Sequence, residues 1–326
     1  MKPKVGVSTL SAPRQPSPTP LRVGIDLGGT KIEGVVMDDG GNERPRQRVA
    51  TPRDDYAATI AAIAAMVGSL LADAAAAGHG AGPATVGVAT PGSLSPRSGR
   101  MQNANSTWLN GRTLGPDLSA ALGRPVRLAN DANCFALSEA RDGAAANARN
   151  VVGVILGTGC GAGIVINGRI LDGPRGIGGE WGHNPLPWAA DDEVPGPLCW
   201  CGRRGCMETW VAGPALAAAY LGGGGNTSDS EEIVRRAAAG EELARRALAR
   251  HADRLARGLA VIVNIIDPDV IVLGGGLSRL AHLYTDLPAL MAPHIFSNDT
   301  RVDIRPPRWG DASGARGAAW LWEADP

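Results

Sequence analysis

Residues 21–38 read LRVGIDLGGTKIEGVVMD. The alternation of Leu21, Val23 and Ile25 predicts a strand over 22–26, and IEGVVMD predicts a second over 32–38. Between them Leu27, Gly28, Gly29, Thr30 and Lys31 leave room only for a tight reversal, so the two strands pair antiparallel. A second turn at 38–41 adds a polar third strand and makes a meander. Because a hairpin follows the glycines, where a dinucleotide fingerprint needs a helix, that motif is excluded. The N–H groups of 28–31 are placed to cradle phosphate oxygens, with the Thr30 hydroxyl beside them and Asp26 at the strand end to hold a hydrated Mg2+. A plain hairpin is the alternative.

Further along, an alanine-rich helix over 56–77 precedes a buried strand over 85–89, closing a β-β-β-α-β unit. The loop at Pro91, Gly92 and Ser93 then lies at a strand C-terminus, where α/β sheets bind ligands. Residues 103–108, NANSTW, read as a polar, ligand-facing loop carrying one large aromatic. A strand over 126–128 runs through Ala129 and Asn130 into a helix that reaches about 142, with Asp131 at the junction. Asp131 is either the helix N-cap or a general base held in a cleft.

The second half repeats the order of the first. A strand over 151–156 meets the turn Gly157, Thr158, Gly159, Cys160, and a strand over 164–167 ends in an Asn167–Gly168 hairpin. Two such loops from two similar halves would clamp a nucleotide between them. A long helix over 241–266, a strand over 270–273 and Gly274, Gly275 and Gly276 follow, and three glycines after a buried strand permit close approach of a flat ring such as adenine. A strand over 302–304 and a closing helix over 316–322 finish the chain, and that helix is expected to pack back on the first half.

One insertion interrupts the repeat: GGEWGHNPLPWAADDEVPGPLCWCGRRGCME, residues 178–208. His183, Cys199, Cys201 and Cys206 supply the soft and borderline ligands that tetrahedral Zn2+ takes. Buried cysteines or a disulfide are the alternatives, but five cysteines leave one unpaired, and residues as near as Cys199 and Cys201 bridge poorly. Four protein ligands close the site, so the metal is expected to be structural and to hold Glu180, His183 and Glu208 in place. Two carboxylates and an imidazole N–H suit a neutral polyhydroxy ligand; the alternative is that both glutamates are merely surface groups.

Composition bounds these readings. At 326 residues two domains are expected, and 32 basic against 32 acidic residues disfavour nucleic-acid or acidic-membrane partners. No apolar run is expected to span a membrane, and residues 1–20 lack a signal's apolar stretch and read as a disordered leader. Free thiols beside a thiolate metal site point to the cytoplasm.

Together IDLGGTK (25–31), NANSTWLNG (103–111), LANDAN (128–133), GTGCGAG (157–163), GEWGHNPLPW (179–188) and CWCGRRGCME (199–208) resemble the ROK family of sugar kinases, and most closely its bacterial fructokinases and mannokinases. The resemblance covers about 21–322. It implies an α/β fold of two actin-like, ribonuclease-H-like domains flanking a cleft, one over 21–131 plus 311–326 and one over 132–310 with the zinc loop. It implies phosphorylation of a free hexose by Mg·ATP at the 6-hydroxyl, D-fructose first, with glucokinase or broad hexokinase activity as the alternative. By similarity Asp131 is the base, Asn105, Asn130, Glu180, His183 and Glu208 hold sugar hydroxyls, and the chain is a homodimer. A sugar-responsive regulator without catalysis is the other class; a repressor of this kind would carry a winged helix-turn-helix where only the leader stands.

Overall fold

The computed structural model describes residues 20–79 and 84–322, so the leader expected over 1–20 lies almost wholly outside the described residues. In the first lobe β1 (Leu21–Leu27), β2 (Lys31–Met37) and β3 (Glu43–Ala50) form the antiparallel meander. Helix α1 (Tyr56–Ala76) then crosses to β4 (Ala84–Thr90), which lies parallel to β1. A small hairpin, β5 (Ser93–Leu94) and β6 (Met101–Gln102), and helix α2 (Leu114–Leu122) lead to β7 (Val126–Asn130), parallel to β4. The sheet order is β3-β2-β1-β4-β7.

After α3 (Asp131–Arg141) the second lobe repeats this with β8 (Asn150–Leu156), β9 (Cys160–Ile166) and β10 (Arg169–Ile170). The 178–208 insertion and helices α4 (Glu208–Val211), α5 (Gly213–Gly222), α6 (Ser230–Ala238) and α7 (Glu242–Ile266) intervene before β11 (Val270–Gly274). Helix α8 (His282–Met291), β12 (Ile304–Arg305) and α9 (Ser313–Ala319) complete the chain. The order β10-β9-β8-β11-β12 matches the first sheet strand for strand, antiparallel on one side of the central strand and parallel on the other.

The two sheets sandwich α9 and α3, and glycine makes the stack possible. A Cβ on Gly24 of β1 or Gly87 of β4 would lie 1.9 Å from a carbonyl of α9, and one on Gly163 of β9 would lie 2.2 Å from Ala132 O of α3. Where the helices cross, a Cβ on Gly317 would meet Cys134 O at 1.7 Å. Bare backbone at these points lets helix and strand touch directly. On the outer faces, α1 and α2 cover the first sheet, and α5 to α8 bury the apolar face of the second.

Several expectations need correcting. Helix α1 is 21 residues long with a mean hydropathy of 1.8 over its most apolar stretch, long and apolar enough by those measures to cross a membrane. Its alanines produce that value, and its Ile63, Met66, Val67 and Leu70 are buried in the first core, so it is a packed helix of a globular lobe. The closing helix starts at Ser313, three residues before the expected 316, and ends before Trp320, whose ring lies beneath Arg22 and Arg141. Trp108, expected on a ligand-facing loop, lies in a three-residue helical turn and packs half-buried against the first core.

Candidate active site

At the end of β7 the backbone of Asn130 is extended, and its Oδ1 accepts from Ala132 N at 2.9 Å. Asn130 is therefore the cap of α3, and Asp131, expected as a possible cap, is already the first helical residue. The Asn130 amide also donates to Gly92 O at 3.1 Å, tying the β4 loop to the β7 end. Asp131 accepts from Ala132 N at 2.8 Å and lines the cleft between the lobes. It is open to the cavity's water yet enclosed by protein on its other sides. Burial raises its pKa, the Ala132 N–H opposes this, and the nearby Glu180 charge raises it further.

This cavity, about 490 Å3, is lined by Asn105, Asn130 and Asp131 from the first lobe side and by Glu180, His183 and Glu208 from the insertion. All six residues expected around the hexose thus meet in one space. Burial raises the Glu180 pKa, His183 lowers it and Glu208 raises it. Glu208 accepts from Cys160 N at 3.0 Å through one oxygen and from the Trp200 indole at 2.7 Å through the other. Asn133 also lines the cavity, buried, with its Oδ1 unpartnered among the described residues.

The insertion is shaped by a knuckle in which Cys199 N donates to Arg203 O and Gly202 N to Cys199 O. Gly202 and Gly205 have φ of 86° and 70°, which few side chains tolerate. The ligand atoms of His183, Cys199, Cys201 and Cys206 lie within 4.8 Å of one another. His183 Nδ1 is 3.6 Å from Cys199 Sγ, and Cys201 Sγ is 3.6 Å from Cys206 Sγ. A tetrahedron with bonds of about 2.1 to 2.3 Å has edges of roughly 3.4 to 3.8 Å, so the donor set fits Zn2+ and two of its edges, both 3.6 Å, already have that length. The rest of the loop is clamped to α7 by Glu193, which meets Arg254 at 2.8 Å and Arg257 at 2.9 Å. Burial opposes ionisation of Glu193, but hydrogen bonds from Arg254, Ala190 N and Arg257 outweigh it and hold its pKa at about 2.

A second cavity, about 710 Å3, is lined by Gly276, Leu277, Arg279 and the start of α5, and shares Gly157 and Thr158 with the first. Among the three expected adenine glycines, Gly276 faces this space. Gly274 abuts the Phe135 ring and Gly275 abuts Leu156 O, so packing accounts for both. The turn at Gly28, Gly29, Thr30 and Lys31 lines neither cavity; Gly29 faces Ser106 in the Asn105 loop, and Lys31 sits 3.8 Å from Glu33. Asp26 lies against Gly314 at the start of α9. Burial, then the charges of Asp131 and Glu33, push its pKa up to about 7. Gly159 belongs to the first cavity, since a Cβ there would lie 2.7 Å from Glu208 Oε2.

The model of the ROK family matches residues 22–325. The chain belongs to the ROK family. An N-acetyl-D-glucosamine kinase of Shigella flexneri serotype 5b (strain 8401) is 40% identical over 306 residues, spanning 93% of this chain and 99% of that one. Among solved structures, a ROK hexokinase from Thermus thermophilus superposes with a TM-score of 0.79 at 34% identity over 92% of this chain and 96% of the other. A ROK glucokinase from Streptomyces griseus, solved with glucose and AMPPNP, gives 0.71 at 28% identity over 92% and 98%. This ROK chain therefore has the actin-like ATPase fold and is a sugar kinase of that family.

The residue missed in the sequence is Trp200. Nothing in CWC marks its indole as a partner of Glu208, since that contact forms only once the knuckle folds.

Proposed function

We propose that the protein transfers the γ-phosphoryl group of ATP to the 6-hydroxyl of a free hexose, and that N-acetyl-D-glucosamine is its preferred acceptor. One observation carries the reaction: Asp131, Glu180, His183 and Glu208 face one cavity that joins a second at Gly157 and Thr158. Asn105, Glu180, His183 and Glu208 hold hydroxyls, and Asn130 positions Asp131. The Asp131 carboxylate takes the hydroxyl proton as the oxygen bonds to the γ-phosphorus and the bond to the β-phosphate oxygen breaks, releasing ADP. Backbone N–H groups of Thr158 and Gly159 face the phosphates, and Gly276 the base, while Gly157 N is tied to Gly159 O and Gly213 N to Gly157 O. Mg2+ bound with ATP would neutralise phosphate charge, with Asp26 beside its waters.

The fructose expectation rests on resemblance alone. The 40% identity to an N-acetyl-D-glucosamine kinase favours a 2-acetamido hexose. A further cavity supports it: lined by Ile177, Ala162 and Ile262, it shares Glu180 and His183 with the hexose cavity and offers apolar space for an acetamido methyl. Glucose is the second reading, from the Streptomyces griseus glucokinase likeness.

We further propose that Zn2+ held by His183, Cys199, Cys201 and Cys206 is structural, and that the lobes, 21–131 with 311–326 and 132–310, hinge at α3 and α9. We also propose a homodimer working in the cytoplasm, where its five free cysteines stay reduced. ADP release with N-acetylglucosamine, glucose, mannose, fructose and N-acetylmannosamine tests the reaction and ranks the acceptors by kcat/KM. Highest kcat/KM for N-acetylglucosamine is expected. A chain that binds hexose but releases no ADP with any of them is a binding protein and not a kinase.

A further inference from the structure

We propose that Trp200 is a positioning residue for hexose binding, whose indole N–H orients the Glu208 carboxylate while its ring fixes the plane of His183; this rests on reading the Asp131 cavity as the hexose site. Core packing does not explain this side chain, because Trp200 is 64% exposed. Its contacts are directed all the same. The indole nitrogen donates to Glu208 Oε1 at 2.7 Å, and the ring meets His183 edge to face, centroids 5.0 Å apart at 84°. Both groups it touches line the cavity, as Trp200 itself does.

An ionised carboxylate has about four lone-pair positions. Here Cys160 N occupies one on Oε2 and the indole one on Oε1, so the plane of the carboxylate is held from both ends. Cys199 Sγ also lies 3.9 Å from Oε1, a longer contact than the indole's, so the acceptor position left on Oε2 is the one offered to a sugar hydroxyl. The edge-to-face contact does the same for His183. Its Nδ1 points to Cys199 Sγ, which leaves Nε2 as the ring nitrogen for the ligand. Without the indole, Glu208 keeps the Cys160 N–H on Oε2 and only the long Cys199 contact on Oε1, and the sugar must supply the rest of its ordering. That cost falls on binding and not on the chemical step, because the Trp200 indole bonds Glu208 of the insertion while Asp131 is held by Ala132 N at the end of β7.

The test compares Trp200→Phe, which keeps a ring over His183 and removes the N–H, with Trp200→Ala, which removes both. N-acetyl-D-glucosamine affinity is measured by calorimetry without nucleotide, alongside kcat, the KM for hexose and for ATP, and zinc content. Trp200→Phe is expected to weaken hexose binding ~10-fold, the size of one charge-assisted hydrogen bond, with kcat within about two-fold and ATP KM and zinc unchanged. Trp200→Ala is expected to weaken it further. Unchanged affinity in both variants overturns the proposal, as does tighter binding, which would make the indole a latch that the sugar must displace. If Trp200→Ala loses zinc, Trp200→Phe alone decides. Wild type that binds neither N-acetyl-D-glucosamine nor glucose overturns the hexose reading, and this proposal with it; normal wild-type binding with an indifferent Trp200→Phe overturns this proposal only.

Discussion

At the β7–α3 junction the Asn130 side chain satisfies the helix N-terminus, which leaves the Asp131 carboxylate facing the cleft. Asp131→Asn keeps the shape and an acceptor for Ala132 N while removing the proton acceptor. A loss of at least ~100-fold in kcat is expected, with the melting temperature unchanged; activity within a few-fold of wild type would put the base elsewhere. The pH profile gives a second reading of the same group. Burial and Glu180 raise the Asp131 pKa, so the ionised base is lost at a higher pH than for an ordinary aspartate. The acid limb of kcat/KM is therefore expected above the usual carboxylate range near about 3.9, and Glu180→Gln is expected to shift it down. A methyl at Gly159 meets Glu208 at 2.7 Å, whereas one at Gly29 meets only Ser106 at 3.5 Å. Gly159→Ala is expected to raise hexose KM by ~10-fold or more, and Gly29→Ala to leave it unchanged; equal hexose KM values would separate Glu208 from the sugar.

The 178–208 insertion gathers four soft side chains at one point and is clamped to α7 by Glu193 at another. Between them lie Trp200 and, just beyond, Glu208, so metal and sugar readouts should be coupled. Cys201→Ser removes one ligand without touching the Glu193 clamp. Zinc content is expected to fall and hexose KM to rise, with ATP KM changing least, as emission spectroscopy beside steady-state kinetics will measure. Full hexose phosphorylation in a zinc-free preparation would break that coupling.

Between the lobes, Arg316 of α9 is almost fully buried and joins three segments. Its guanidinium donates to Glu43 at 3.0 Å, to Gly41 O at 3.0 Å and to Asp142 at the end of α3, and lies over the Trp309 ring. Arg316→Leu removes the guanidinium that joins the segments and leaves Glu43 to Arg46 and Asp142 to the Trp309 indole. It is expected to cost about 2–4 kcal/mol in urea unfolding, less than for a wholly dry pair because Glu43 and Asp142 keep some solvent. The turn at 28–31 lies outside the cavity walls, on the lobe opposite Gly157. Closure of the cleft is the motion that would bring it to the phosphates, and it would also exclude water, the competing acceptor.

The sequence by itself determined the antiparallel hairpin that opens each lobe, because period-two apolar runs and Gly turns are local signals that neighbours in the chain impose on each other, whereas the parallel places of β4, β7, β11 and β12 came from the fold. It also singled out the four soft side chains that the fold brings within 4.8 Å of one another, since thiol and imidazole groups at close spacing stand out by residue type alone. Only the tertiary structure decided that Asn130 and not Asp131 caps α3, that Gly274 and Gly275 serve packing, that Gly159 guards Glu208, and that Trp200 holds the same carboxylate. Each of these depends on which atoms of distant segments come within about 3 Å, a distance that hydrogen bonding and steric exclusion resolve and that residue type and spacing do not encode.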